Sequence, residues 1–300
     1  LPRFSSASFD GVYPFGQVNL SDENMPVKVR IKGFNPLIPG DAESNGMPIA
    51  VLAYEVTNVS ASPIEVSISG SMRNFIGKDG SKHTSDWKGD FIPIGASKNK
   101  NEYRQQNGLS GIYMYSEGVD KNDPAWGTIA LTTAADEGIS WRTSSVKDSW
   151  SNAILDFWDD FSADGVLEEK KRPSGEDDPM ASLAVKKVIA PGETKAYTFY
   201  ITWNFPNRKA WSETVVGNYY STVYKDAWTA AETIIPKMDE LEAKTLSFVN
   251  ALLSCSYPDV IKEAALFNLS VLRSQTVMRL ADGHMMGWEG VMDRFGSCPG

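Results

Sequence analysis

The hydrophobic pattern of this chain changes its period once, and that change constrains the fold more than any other feature. Up to about residue 203, apolar residues alternate with polar ones, as at 27–32 and 64–72, or run almost without interruption, as at 48–58. From about residue 225 they recur every three to four positions. A period of two is typical of strands, and a period near 3.6 is typical of helices. The sequence therefore predicts a mainly β chain with an α-helical C-terminal part.

The β-patterned part predicts a large antiparallel β-sandwich, because many short strands are punctuated by Gly, Pro and Asn. The segments 48–58 and 64–72 are predicted to pair as a hairpin, since only a short turn separates them. Two prolines exclude a central strand from 34–41. Helical spacing interrupts the strands at 152–161. Further strands are predicted at 111–115, 128–132, 184–189 and 195–203.

Three helices are predicted in the C-terminal part. The first covers 227–235 and is limited by Pro236, the second covers 238–253, and the third runs from Pro258 to about Leu280. Each has an apolar stripe that is expected to face the core. The stripe of the second helix is Leu241, Thr245, Phe248, Val249 and Leu252, and that of the third is Ile261, Ala264, Ala265, Asn268, Leu269, Leu272 and Thr276.

The length of the chain argues for two domains. We assign 1–225 to the β-sandwich and 226–300 to the beginning of a helical domain. Because about 75 residues in three helices bury little surface alone, we expect that they dock on the sandwich or that the polypeptide continues beyond Gly300. The chain begins at Leu1 without an initiator Met, as expected after cleavage of a signal peptide or after trimming. The location is left open, with a soluble, exported protein as one reading.

Composition excludes several classes of function. A net charge of -9 and a sequence pI near 4.9 argue against nucleic acid as a partner. No apolar run approaches the roughly 20 residues that span a bilayer. The Cys and His residues are scattered, at Cys255, Cys298, His83 and His284, so the sequence predicts neither a metal site nor a cofactor. The oligomeric state is left open.

One carboxylate near the end of the chain has a distinctive setting. Glu289 lies between Trp288 and Gly290, shortly after the last predicted helix. Glycosidases need two carboxylates that flank the scissile bond, and their environment separates the two roles. By itself this pattern also fits a solvated turn residue.

Several longer motifs resemble glycoside hydrolase family 116, the non-lysosomal glucosylceramidase or bile acid β-glucosidase family, and its bacterial branch in particular. They are GVYPFG (11–16), FNPLIP (34–39), GNYYSTVYKDAW (217–228), KEAALFNLSVLRSQT (262–276), GHMMGWEG (283–290) and GSCPG (296–300). The resemblance implies an N-terminal β-sandwich followed by the first helices of an (α/α)6 barrel that carries catalysis. It also implies a retaining β-glycosidase that acts on β-glucosides or related glycosides. That mechanism requires no metal, and metal dependence is left open.

The family resemblance assigns roles to individual residues. Glu289 matches the nucleophile, while the acid/base Asp is expected downstream of Gly300. Trp288, His284 and Arg294 are candidates for substrate binding. Because the first step would lack its proton donor, we expect the 300-residue chain alone to be nearly inactive.

Two other readings stay open. A sandwich followed by helices also occurs in inverting hydrolases and phosphorylases, in which no Glu forms a covalent sugar. A non-catalytic module that binds carbohydrate or scaffolds a partner is the second alternative. Its expected signature is an exposed aromatic patch on the sandwich.

Overall fold

The computed structural model describes residues 2–287 without 79, 81, 147–149, 151, 170–178, 211–212 and 275–276. The strands of this part of the chain are numbered in order as β1 (Ser6–Val12), β2 (Phe15–Ser21), β3 (Val27–Phe34), β4 (Ile49–Asn58), β5 (Ile64–Arg73), β6 (His83–Ser85), β7 (Phe91–Pro93), β8 (Asn99–Gln106), β9 (Leu109–Ser116), β10 (Thr128–Thr133), β11 (Ile139–Arg142), β12 (Met180–Ile189), β13 (Thr194–Asn204), β14 (Val277–Arg279) and β15 (Met285–Gly287). The helices are α1 (Ala42–Asn45), α2 (Asn152–Asp164), α3 (Tyr220–Val223), α4 (Ala227–Ile234), α5 (Met238–Leu253) and α6 (Asp259–Asn268). Two 3-10 turns follow α4 and α6, at Ile235–Lys237 and Leu269–Arg273.

Two antiparallel sheets form the sandwich. The large sheet has eight strands in the order β1-β2-β3-β4-β13-β10-β9-β8, and the small sheet has the order β11-β12-β5. Side chains from both sheets meet in one apolar cluster, the sandwich core, which includes Val56, Ile112, Leu131, Leu183 and Phe199. The predicted mainly β fold with a large antiparallel sandwich and a helical C-terminal part is therefore confirmed.

The opposite face of the large sheet is covered as well. Here Ile49, Val51 and Tyr113 pack against Trp228 and Ile234 of α4 in a second cluster, the helix-side core. Because successive residues of a strand point to opposite faces, the central strands must be apolar on both sides. This explains why the β4 sequence is an almost continuous apolar run, whereas β3 alternates with charged residues.

The predicted hairpin between 48–58 and 64–72 is wrong. β4 pairs with β3 and β13, whereas β5 pairs with β12 in the small sheet. Fully buried Asn58 fixes the turn, since its Nδ2 donates to the carbonyl oxygens of Ser62 (2.8 Å) and Ile189 (3.0 Å). Its Oδ1 accepts from the backbone N–H of Ser60 at 2.8 Å. The turn thus carries the chain across the core to the other sheet.

The first two C-terminal helices agree with the prediction. Asp226 caps α4 by accepting from the N–H of Thr229 at 2.8 Å, and Pro236 lies in the 3-10 turn that ends this helix. In α5, Leu241, Thr245 and Val249 are buried as predicted. An ion pair also joins this helix to the large sheet, because Lys32 of β3 lies 2.5 Å from Glu242 of α5.

The predicted third helix is too long. α6 ends at Asn268, and the chain continues through a 3-10 turn into β14 and β15, whose residues pair as an antiparallel ladder. Most of the predicted inner stripe is exposed, with Ile261 at 53% and Leu272 at 56%, and Leu269 is half-buried. Leu266 is buried instead. Thr276 of that stripe lies outside the described residues. Sheet pairing at 277–287 takes the backbone hydrogen bonds that a longer helix would need.

A buried cation fixes α2 to the small sheet. Arg142 of β11 is 2% exposed and pairs with Asp156 (2.9 Å) and Asp160 (2.5 Å) of α2. Helical spacing predicted α2, but a strand arginine gives no signal of burial, so this ion pair was missed. None of the helices in the described ranges is long and apolar enough to cross a membrane.

Candidate functional site

A cleft of about 620 Å³ lies where the end of β13 meets the chain segments before β4 and after α6. Its volume is in the range of small-molecule sites. Three parts of the chain form its walls: the loop at 35–48, residues from 203–208 and 218–220, and residues 272–274 together with the hairpin β14–β15. The helix-side core lies beneath it, so both the sheet and the helices position its walls.

The first wall is a loop held by its own side chains. Pro36 and Pro39 keep it out of the sheet, and Asn45 bonds the Ile38 backbone through both amide atoms, at 2.7 and 2.8 Å. Asp41 caps α1 by accepting from the N–H and the hydroxyl of Ser44. These hydrogen bonds hold the pKa of Asp41 below its usual value.

Helix α5 fixes the position of this wall. The Leu37 N–H donates to the hydroxyl of Thr245, which is fully buried, at 3.1 Å. The same hydroxyl donates to the Leu241 carbonyl one turn earlier, at 2.7 Å. The cleft therefore depends on the helical part of the chain as well as on the sandwich.

The second wall contains the tyrosine-rich motif at 217–220. Asn218 is buried, its Nδ2 donates to the Phe205 carbonyl at 2.7 Å, and its Oδ1 accepts from Arg208 Nε at 2.8 Å. Gly217 has φ +68°, and a Cβ there would lie 2.9 Å from the Ala281 Cβ. Only glycine allows so close an approach of this wall to the β14–β15 turn.

A cluster of charged and aromatic groups joins two walls at the rim. The guanidinium of Arg279 lies 3.4 Å from the centre of the Tyr219 ring and pairs with Glu43 at 2.9 Å. The Tyr219 hydroxyl donates to the same carboxylate at 3.1 Å. Stacking and a shared carboxylate thus fix β14 against the α1 loop.

Arg273 is a second cation of the cleft, with a different environment. Its Nη2 donates to the Pro36 carbonyl and to Asn45 Oδ1, and the latter distance is 3.3 Å. Both acceptors are neutral. Burial lowers the pKa of this guanidinium from its usual value, and the nearby Tyr13 side chain acts in the other direction.

Of the site residues predicted from the sequence, the structure describes only His284. His284 lies in the turn between β14 and β15 with 81% of its side chain exposed, and its Nδ1 is 3.2 Å from Asp282. It is not among the residues that line the cleft. Trp288, Glu289 and Arg294 lie outside the described residues, so their roles stay predictions. Among the described residues, no three His, Cys, Asp or Glu side chains come together to hold a metal ion.

Sequence reasoning missed the residues that define the cleft. Arg208, Arg273 and Arg279 come from three separate segments, and only folding brings them to one cavity. The motifs that carried the family resemblance were nevertheless a signal for the cleft. Four of them contribute lining residues, and they are the motifs at 34–39, 217–228, 262–276 and 283–290.

Comparison with known proteins agrees with this arrangement. A family model described as "beta-glucosidase 2, glycosyl-hydrolase family 116 N-term" matches residues 2–241. The chain belongs to glycosyl-hydrolase family 116. The family 116 match includes two walls of the cleft and ends within α5, ahead of α6 and the β14–β15 hairpin.

A solved structure described as a putative kojibiose phosphorylase from human microbiome is similar over 91% of this family 116 chain, with 10% sequence identity and a TM-score of 0.30. The chain spans about a quarter (26%) of the length of that protein. A similarity at this level carries no inference about activity.

Proposed function

We propose that this family 116 chain is part of a retaining β-glycosidase that cleaves β-glucosides or related glycosides, glucosylceramide-like substrates included, with Glu289 as the nucleophile. One observation carries the proposal: four separate family motifs converge on one cleft. Glu289 follows the last residue of β15 by two positions. The hairpin that precedes Glu289 in the sequence forms one wall of the cleft.

The proposed reaction has two steps. The carboxylate of Glu289 attacks the anomeric carbon and forms a glycosyl-enzyme ester, while an Asp donates a proton to the leaving oxygen. The same Asp then takes a proton from water, which attacks the anomeric carbon and releases Glu289. Such carboxyl groups lie about 5–5.5 Å apart. The family resemblance assigns the Asp to a position after residue 300.

The same resemblance supports the proposed domain organisation. Residues 1–225 would form the sandwich domain, and 226–300 would begin the (α/α)6 barrel that completes the active site. Without the acid/base Asp, glycosylation loses a contribution of about 10²–10⁴-fold. We therefore expect a protein limited to residues 1–300 to be nearly inactive.

A second candidate function has one observation in its favour. The hairpin β6–β7 presents Trp87 at 88% exposure and Phe91 at 56%, with His83 stacked on the Phe91 ring at 4.5 Å. Exposed aromatic faces can stack on sugar rings. A non-catalytic carbohydrate-binding surface on the sandwich is therefore the alternative that the test below must separate from catalysis.

The deciding experiment is covalent trapping in the full-length protein. Incubation with 2-deoxy-2-fluoro-β-glucosyl fluoride should add one fluoroglucosyl group, and peptide mapping should place it on Glu289. The Glu289→Gln variant should gain no mass, and Glu263→Gln, a change on the exposed side of α6, should label like the wild type. Hydrolysis of aryl β-glucosides without any adduct would contradict the retaining mechanism. A third outcome would favour the non-catalytic carbohydrate-binding surface: the protein shows neither hydrolysis nor an adduct, still binds glycans, and loses that binding in the Trp87→Ala variant.

A further inference from the structure

The charges that line the cleft are not balanced. Of its three arginines, Arg279 pairs with Glu43, whereas Arg208 and Arg273 contact only neutral groups among the described residues. Arg208 donates to Asn218 Oδ1 at 2.8 Å and approaches the Met278 sulfur at 3.3 Å. The two contacts of Arg273 are a backbone carbonyl and an amide oxygen.

Asp41, the one acidic residue among the described residues that line the cleft, does not compensate for them. Both carboxylate oxygens of Asp41 accept hydrogen bonds from Ser44 at the start of α1. A half-buried guanidinium without a carboxylate is unfavourable, because buried charges are normally paired. Among the described residues, the cleft thus holds two guanidinium groups without an anionic partner.

Unused donors remain on both side chains. Each guanidinium has five N–H groups, and no described residue accepts from Nε or Nη1 of Arg273 or from Nη2 of Arg208. These nitrogen atoms are not among the buried side-chain atoms of the described residues that lack a partner, and both arginines line the cleft. Their neutral contacts hold both groups in place, which reduces the entropy cost of binding a ligand.

We propose that the cleft recognises a glycoside carrying a carboxylate, which Arg273 and Arg208 bind through their free N–H groups. This inference rests on the proposed function only in taking the ligand to be a glycoside. Arginine matches a carboxylate with paired hydrogen bonds, a geometry that a neutral hydroxyl does not reproduce. The carboxylate is carried either by the sugar, as in a hexuronic acid, or by the aglycone.

The test is calorimetry on the full-length protein with matched ligands. Methyl β-glucuronide carries the carboxylate on the sugar and 4-carboxyphenyl β-glucoside carries it on the aglycone, with methyl and phenyl β-glucoside as neutral partners. We expect one acidic ligand to bind about tenfold to a hundredfold more tightly than its neutral partner. The pair of ligands that differs in affinity shows whether the sugar or the aglycone carries the carboxylate. Raising the salt concentration should reduce the preference.

Variants assign the effect to the two arginines. Arg273→Met and Arg208→Met should each remove most of the preference, and Arg273→Lys should retain part of it. Arg30→Met is the matched control, because Arg30 pairs with Glu55 outside the cleft. If a methionine variant does not fold, the salt dependence of the wild type still tests the proposal.

Three outcomes would overturn the proposal. The first is equal affinity for acidic and neutral ligands, and the second is a preference that survives in both methionine variants. The third concerns Asp293, the sequence neighbour of Arg294: a preference that only the Asp293→Asn variant acquires would mean that the chain itself supplies the anion. The proposed function is judged separately by trapping and by aryl β-glucoside hydrolysis. Glucoside cleavage without an acidic preference refutes only the anion site, and acidic binding without cleavage or an adduct refutes only the catalytic proposal.

Discussion

The two faces of the large sheet bury side chains in different ways. On one face, strands of the small sheet close the sandwich core, and almost all of its contacts are between strands. On the other face, α4 and α5 cover the sheet, and the same α5 holds the cleft loop through Thr245. The sandwich core thus stabilises the fold, whereas the helix-side core both stabilises the fold and positions the loop that forms one wall of the cleft. Four predictions test this difference, in order of expected effect.

The largest effect is expected in the sandwich core. Phe199 of β13 is 2% exposed and packs edge-on against Tyr54. Phe199→Ala should lower the free energy of unfolding by about 3–5 kcal/mol, because it leaves a cavity between the sheets. Denaturant titration measures this loss. Val188→Ala, at a position 53% exposed on β12, is the control and should change little. Equal effects of the two variants would contradict the assigned core.

A substitution in the helix-side core should act more locally. Ile234→Ala, at a fully buried position of α4, is expected to cost about 2–4 kcal/mol. Hydrogen exchange should show loss of protection in α4, α5 and the cleft loop, while β5 and β12 stay protected. Leu246→Ala, at a 39% exposed position of α5, is the matched control. Uniform loss of protection would mean that the two cores unfold as one unit.

The third prediction uses pH to probe the sandwich core. Burial raises the pKa of Tyr197 to about 12, and its hydroxyl donates to the Val66 carbonyl at 3.0 Å. The unfolded state, with a tyrosine pKa near 10, loses this proton first as the pH rises. The contribution of this raised pKa to the free energy of unfolding should therefore be fully present below pH 10 and be lost between pH 10 and 12.

Tyr197→Phe should make that fall shallower, by about 1–3 kcal/mol at the upper end of the window. Urea titrations at a series of alkaline pH values measure the slope. The control is Tyr257→Phe, because Tyr257 is 66% exposed, and it should keep the slope of the wild type. An unchanged slope in Tyr197→Phe would show that other groups cause the alkaline loss.

The smallest effect is expected where the cleft walls touch. Gly217→Ala adds a Cβ that would lie 2.9 Å from Ala281, in a backbone with φ +68°. Gly192→Ala has a similar φ of +74° with nothing within 4 Å, so it isolates the backbone cost. We expect both variants to lose about 1 kcal/mol through φ, and Gly217→Ala alone to weaken glycoside binding. Thermal melts and calorimetry together measure the two effects.

Most of the regular structure could be predicted from periodicity, because a helix or strand that packs on one layer repeats its apolar residues with its own period. β3, β4, α4 and α5 were predicted in this way to within a few residues. The prediction failed at Asn58, since a turn signal shows where the chain changes direction but not which sheet the next strand joins. It failed again in α6, whose apolar residues are not the ones that the core contacts.

The candidate site was predicted only in part. Glu289 and its neighbours were singled out from a motif, and their roles remain predictions. Arg273 and Asn218 stand inside motifs that were noticed, yet no pattern marked them individually. The significance of a guanidinium depends on whether a carboxylate lies near it, which is a property of distances between remote segments.

By itself, the sequence determined most of the secondary structure, the mainly β class and the membership of family 116. These follow from short-range periodicity and from long motifs, and both can be recognised within continuous stretches of the sequence. Only the tertiary structure decided which sheet β5 joins and that both faces of β4 are buried. It also decided that the loop, the tyrosine motif and the hairpin enclose one cleft, in which Arg208 and Arg273 have no carboxylate partner among the described residues. These features arise from contacts between residues up to 237 positions apart, which no local pattern encodes.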